Sequence, residues 1–303
     1  MNIDERRAEW IKARHTGLGG SDIAPMLGLV PQWKSPFALW AEKTGLAEND
    51  AALDELEYIE WGNVLEEPIA KKYQKVTGRD LFDPGRFSII RHPSIPFMHC
   101  TIDRKITPID DRGEGILEIK NVGLQKAADW ETEPPLNYQV QLQHQLAVTG
   151  AAWGSFAVLI GGQKFIWLDV PRDEKLIAYL IEKETEFWAM VESETPPEVD
   201  TSYATAQALE RMYPKDTGES VDLPAEFTAL RDQRNELRAQ IKDAEQRIQL
   251  IDNRIKDAMR TASVGLLPDG SGFSWKTQQR KEFTVKASEF RVLREIKAGK
   301  GKQ

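Results

Sequence analysis

The chain reads as an α/β protein built on a mixed sheet, with a long helix appended toward its C-terminal side. Three observations predict this. Five short runs rich in β-branched and aromatic residues are separated by Gly, Pro and Asp, as strands are. Amphipathic helical stretches lie before, between and after those runs, and one sits between the third and fourth. From Phe227 to Ala258 the apolar positions then recur at alternating spacings of three and four.

In chain order, "SPFALWAEKTG" and "EEPIAKKYQKVTG" predict helices stopped by glycine. "GRFSIIRHP", "FMHCTIDRKITPI", "GILEIKNV", "WGSFAVLIGG" and "KFIWLDVP" predict strands. "LNYQVQLQHQLAVTG" predicts a helix between the third and fourth strands, and "RDEKLIAYLIEKETEFWAMVESE" a long one ended by Pro196 and Pro197. "TPPEVDTSYATAQALERMYPKDTGES" reads as a connector carrying a short helix. Phe227, Leu230, Arg234, Leu237, Ile241, Ala244, Ile248, Ile251, Ile255 and Ala258 mark the seam of a long, coiled-coil-like helix, and "GFSWKTQQRKEFTV" reads as a hairpin. The expected domains are residues 1–198, a connector at 199–221, and a C-terminal extension at 222–303.

Composition narrows the function. With 303 residues and 41% hydrophobic content the chain can bury a substantial core, and no apolar run reaches the length of a membrane span. The charged N-terminus lacks the apolar stretch of a signal peptide, so a cytoplasmic protein is expected. A single cysteine, Cys100, excludes a disulfide framework or an iron–sulfur site within the chain. The net charge of -8 argues against diffuse affinity for nucleic acid but leaves room for a local basic channel. Residues 271–303 hold nine Lys and Arg against three Glu, a basic tail.

The chemistry concentrates at "GILEIKNVG". Alternate residues of a strand share a face, so Glu118 and Lys120 lie together while Leu117 and Ile119 face the other way. Asp103 ends the preceding strand run, and an antiparallel pairing brings it close to Glu118. Two close carboxylates repel, and a bound divalent cation relieves that repulsion. Mg²⁺ suits such oxygen donors and keeps waters for a phosphate, and Mn²⁺ fits the same ligands. Lys120 is placed to hold an attacking water or to stabilise charge developing on phosphorus. "GLGGSDIA" is a glycine-rich turn entering a helix, where backbone N–H groups favour phosphate. Ser21 reads as its N-cap, with Asp22 in the first turn. Arg14 stands just before it and offers a bidentate grip on an oxyanion. His15, His92, His99 and His144 show no metal-ligand spacing and read as structural.

Four motifs in order, "EWIKARHTGLGGSDIAPMLG", "WGNVLEEPIAKKYQKVTG", "TID" leading to "LEIK", and "YQVQLQHQLAVTG", resemble the YqaJ-type viral recombinase family, to which the exonuclease of phage lambda is related. That family belongs to the PD-(D/E)xK nuclease superfamily, and the resemblance spans residues 8 to 198. It implies a restriction-endonuclease-like core with a central mixed sheet flanked by helices. It further implies Asp103, Glu118 and the carbonyl of Ile119 as metal ligands and Lys120 as the catalytic lysine. Glu66 is favoured over its neighbour Glu67 as the acid supplied by a helix. Gln141 matches a glutamine near the reacting phosphate, and Tyr138, one turn earlier, is either a substrate contact or packing. Gln143 and Gln145 read as a polar helix face. Trp10, Arg14 and Ser21 match family positions, and Arg14 and Ser21 are similar to the pair that grips a terminal 5′-phosphate. Arg104 departs from the glycine that often follows the aspartate.

The activity so implied is Mg²⁺-dependent digestion of linear double-stranded DNA from its 5′-phosphorylated ends, 5′ to 3′. The resulting 3′ overhangs would serve a single-strand annealing protein, with the enzyme a ring-shaped homotrimer in the cytoplasm of a bacterial host. The alternatives are an endonuclease or structure-specific nuclease of the same superfamily, and a non-catalytic DNA-binding assembly protein.

Overall fold

A computed structural model describes residues 3–47, 57–108, 110–282, 284, 287 and 289–296. The chain divides into two compact units, Met1–Pro214 and Lys215–Gln303.

The first unit is organised by a five-stranded sheet in the order β1 (Leu81–Phe82), β4 (Arg104–Ile106), β5 (Gly115–Val122), β6 (Trp153–Ile160) and β7 (Lys164–Pro171). Only β5 and β6 run parallel; the other neighbours are antiparallel, so the sheet is mixed. A parallel pair needs a crossover, which contains α5 (Leu136–Thr149). Gly150 ends that helix at φ 74, a left-handed conformation that glycine adopts without strain. The period of two in the strands sorts the core. Ile116, Phe156, Val158 and Ile160 pack with Leu142 and Leu146 of α5. Leu117, Ile119 and Ala157 pack with Ile69, Ala70 and Tyr73 of α4 (Glu57–Thr77) on the other face.

A third cluster joins α2 (Gly20–Met26), α3 (Pro36–Lys43), α6 (Glu174–Glu192) and α7 (Tyr203–Met212). Ala204 and Ala208 of α7 are buried there, so this helix, expected in a connector, packs as part of the first unit.

Other expectations change as well. The run "FMHCTIDRKITPI" is two strands: β3 (His99–Cys100) pairs with β2 (Ile90–Arg91) in a separate ribbon, and β4 joins the main sheet after a break at Thr101–Asp103. In the second unit, α8 (Glu226–Met259) is followed by a hairpin of β8 (Val264–Leu266) and β9 (Gly272–Ser274). The hairpin therefore begins earlier than expected, turning through "LPDGS" with Gly270 at φ 85. Residues 275–282 carry no strand. Lys286, Lys297, Lys300 and Lys302 of the basic tail lie outside the described residues.

A buried ion pair ties α5 to α6. His144 Nδ1 lies 2.9 Å from Glu184 Oε1, and His144 Nε2 lies 2.9 Å from the carbonyl oxygen of His99. Both ring nitrogens face acceptors, so both donate. Burial pulls the His144 pKa down, but the Glu184 charge and the hydrogen bonds to Glu184 and His99 outweigh it and raise the pKa above 6.5. A raised folded pKa contributes stability that is fully present below the unfolded value and is lost as pH rises through the folded one. We predict that His144→Gln lowers the unfolding free energy of the first unit in urea at pH 6 by about 3–5 kcal/mol, the cost of a broken buried pair. The gap to the parent protein should narrow toward pH 8.5, as followed by tryptophan fluorescence.

Candidate active site

The site forms where β4 stops short of β5. Arg104 is opposite Leu117, the last pair of that ladder, so Asp103 falls opposite Glu118 in the bend beyond it. The Asp103 carboxylate accepts the backbone N–H of Ile119 at 2.6 Å. A strand residue presents N–H and C=O on the same side, so the Ile119 carbonyl faces the same gap.

On the face of β5 that α5 covers, Glu118 is held by three donors. Lys120 Nζ and Gln141 Nε2 each reach its Oε1 at 2.6 Å, and Gln145 Nε2 reaches its Oε2 at 2.8 Å. Lys120 also contacts Gln141 Oε1 at 3.3 Å, and its ammonium lies 4.9 Å from the centre of the Tyr138 ring. Tyr138 in turn stacks on Trp130 at 5.3 Å, so its ring both packs and supports the lysine charge.

Glu66 and Glu67 part ways. Glu66 lines a cavity of about 290 Å³ together with Asp103, Asn63, Asp83, Arg86 and Arg104. Glu67 is exposed and pairs with Lys71 at 3.1 Å and Arg104 at 3.0 Å. The buried Arg104 also donates to the carbonyl of Asp103 at 2.6 Å, so it braces the bend.

The carboxylates feel one another. Asp103 titrates well above the ordinary range, first because it is buried, then because Glu118 and Glu66 are near; Lys120 and the Ile119 N–H oppose this only in part. Glu66 is raised as well, mainly by burial, with Glu118 and Asp83 adding to it against Arg104 and Arg86. Lys120 is raised despite its burial, because Glu118 and Asp103 favour its charged form.

A second cavity abuts the first. Trp10, Arg14 and Thr101 line both, and Gly19, Gly20, Ser21, Asp22, His99, Gln141 and Gln145 complete the second. The turn carrying Ser21 is zipped against β3: Leu18 N–H donates to Phe97 O at 2.7 Å, and His99 N–H donates to Leu18 O at 3.0 Å. A Cβ on Gly17 would fall 2.3 Å from Phe97 O, so only glycine permits this approach. The cap of α2 is Gly19 rather than Ser21. Its N–H goes to the Asp22 carboxylate at 3.0 Å, and buried Lys43 binds that carboxylate at 2.6 Å. Burial pushes Asp22 up, yet Lys43, Arg14 and Lys34 together hold it well below the usual carboxylate range. Ser21 is thereby left exposed at the cavity rim. The Arg14 guanidinium lies 4.7 Å from the centre of the Trp10 ring, α1 (Ile3–His15) providing both.

Among the described residues, no three His, Cys, Asp or Glu side chains stand close enough together to hold a metal ion by themselves. The donor set of Asp103, Glu118 and the Ile119 carbonyl, with Glu66 across the cavity, instead fits a hard cation that keeps several waters. The mutual repulsion recorded in the raised carboxyls is what such a cation would relieve. One contributor was missed in the sequence. Gln145 is buried and holds both Glu118 and, at 3.2 Å, the Thr101 carbonyl, rather than forming a polar helix face. Its spacing of four from Gln141 was the available signal. Gln143 is buried too, spanning Pro171 O at 2.8 Å and Asp173 N at 2.9 Å. We predict that Gln145→Leu, which strips Glu118 Oε2 of its donor, costs about 1–3 kcal/mol in denaturant unfolding and depresses turnover while duplex binding persists.

Residues 9–152 match the model of the YqaJ-like viral recombinase domain. The protein YqaJ of Bacillus subtilis (strain 168) is 34% identical over 279 residues, spanning 88% of this chain and 82% of the relative. Among solved structures, an alkaline exonuclease from Laribacter hongkongensis is similar at 23% identity and a TM-score of 0.47, over 62% of this chain and 94% of that one. A phage-related exonuclease from Haemophilus somnus 129PT is similar at 15% identity and a TM-score of 0.39, over 59% and 96%. With 34% identity over 82% of a relative's length, the chain belongs to the YqaJ-like viral recombinase family.

Proposed function

We infer that this nuclease digests linear double-stranded DNA from 5′-phosphorylated ends, in the 5′-to-3′ direction and with Mg²⁺. The 3′ overhangs left behind suit single-strand annealing recombination. The observation that carries the reading is the shared wall of Trp10, Arg14 and Thr101 between the carboxylate cavity and the cavity of Gly19, Gly20 and Ser21. One cavity takes the scissile phosphate and the other takes the phosphate at the end of the same strand.

Asp103, Glu118 and the Ile119 carbonyl would hold the cation, with Glu66 completing the acidic wall. When bound, the cation acidifies water and neutralises charge on the phosphate. Lys120, kept protonated by Glu118 and Asp103, holds a positive charge where the phosphorane charge develops. Gln141 bridges Lys120 and Glu118 and fixes their spacing. Arg14, steadied on Trp10, grips the terminal phosphate together with Ser21. An enzyme that cuts within a duplex has no use for that grip.

The test is Mg²⁺-dependent digestion of linear duplexes with and without a 5′-phosphate, beside a covalently closed circle. Preferential loss of the phosphorylated linear DNA is expected, and cutting of the circle would overturn the end-directed reading. Asp103→Ala should abolish cleavage while duplex binding is retained; loss of cleavage and binding together would count against the role of Asp103. In Arg14→Ala the preference for a 5′-phosphate should fall about ten- to a hundredfold in kcat/KM, the worth of a charged hydrogen-bonded grip.

A further inference from the structure

α8 carries an apolar seam that no other described residue of its own unit covers. Leu237 is 51% exposed, Ile241 58%, Ile248 59% and Ile251 55%, on a helix of 34 residues. The spacing of three and four assigns heptad positions without a break. Phe227, Arg234, Ile241, Ile248 and Ile255 take the a positions; Leu230, Leu237, Ala244, Ile251 and Ala258 take d. Such a seam is stable in water only when a second one closes on it.

We propose that this seam is covered by α8 of a second copy of the chain, in a two-stranded antiparallel coiled coil with the helices overlapping end to end. Side-chain volume selects the antiparallel arrangement. With a facing d, the layers are Phe227 on Ala258, Leu230 on Ile255, Arg234 on Ile251, Leu237 on Ile248 and Ile241 on Ala244. Both Ala244 and Ala258 then meet a large partner. A parallel pair would instead set Ala244 against Ala244, leaving a void, and Arg234 against Arg234, two like charges in the seam.

Charge selects the register. In the full overlap, Arg231 faces Asp252 and Arg238 faces Glu245, each twice by symmetry. On the other flank Gln240 meets Arg247 and Gln233 meets Arg254, without repulsion. Sliding one helix by a heptad places Glu245 against Glu245 in one direction and Arg238 against Arg238 in the other. The contact is a two-fold one, so it joins two chains whatever association the first unit makes, and a ring of nuclease units would be linked to a second ring through it.

Mild oxidation of single-cysteine variants of the full chain tests the proposal, since native Cys100 is buried and does not compete. Leu237→Cys and Ile248→Cys should each resist crosslinking alone and form a covalent dimer when mixed. Self-crosslinking of Leu237→Cys would overturn the antiparallel arrangement. No crosslink in any mixture, together with light scattering showing the same mass for the parent protein and for Ile241→Glu/Ile248→Glu, would overturn self-association. Arg238→Glu should weaken the dimer at least tenfold, and Arg238→Glu/Glu245→Arg should restore it, which a merely helix-destabilising change would not do.

Discussion

The repulsion between Asp103 and Glu118 is the constraint around which the first unit is arranged. Both carboxylates are largely removed from water at the point where β4 stops, and a buried charge needs partners. The chain supplies them from two stretches, β5 and α5. The Ile119 N–H serves Asp103, while Lys120, Gln141 and Gln145 serve Glu118. Each depends on a larger feature: β5 presents Lys120 two residues from Glu118, and α5 presents its glutamines one turn apart. The buried pair of His144 and Glu184 anchors α5 from its far side. The fold thus holds a charge cluster that is unfavourable alone, and a bound cation would relieve it.

A second dependence runs through β3. Because the strand run breaks at Thr101, β3 is free to pair with β2 on one side and to bridge to Leu18 on the other. That bridge brings the glycine turn, and with it Arg14 and Ser21, to the edge of the carboxylate cavity. One interruption therefore places both the acid and the pocket beside it.

The sequence disclosed these parts unevenly. β5, β6 and β7 were legible because they are short runs rich in β-branched and aromatic residues with Gly or Pro at their bounds, and Glu118 and Lys120 share a face by the period of two. The break at Thr101–Asp103 was not, since "FMHCTIDRKITPI" has strand propensity throughout and only its two different pairing partners divide it. α4 begins nine residues before the expected Glu66, because Pro68 resembles a first-turn proline yet sits in the helix interior, where packing of Ile69, Ala70 and Tyr73 holds the turn. The C-terminal hairpin was misplaced because its turn residues, Pro268-Asp269-Gly270, were outweighed by the aromatic pair Phe273 and Trp275. Gln145 escaped because a glutamine is usually exposed, and only the tertiary position of Glu118 buries it.

The central claim is that Asp103 and Glu118 share a divalent cation. Calorimetric titration with Mg²⁺ in buffers of different ionisation heat, repeated across pH and with Asp103→Asn, tests it most directly. Cation and proton compete for a carboxyl whose pKa is raised, so binding should release protons, more of them as the pH falls, and Asp103→Asn should remove both the affinity and the release. Equal Mg²⁺ affinity in the parent protein and Asp103→Asn, with no proton release, would contradict the account.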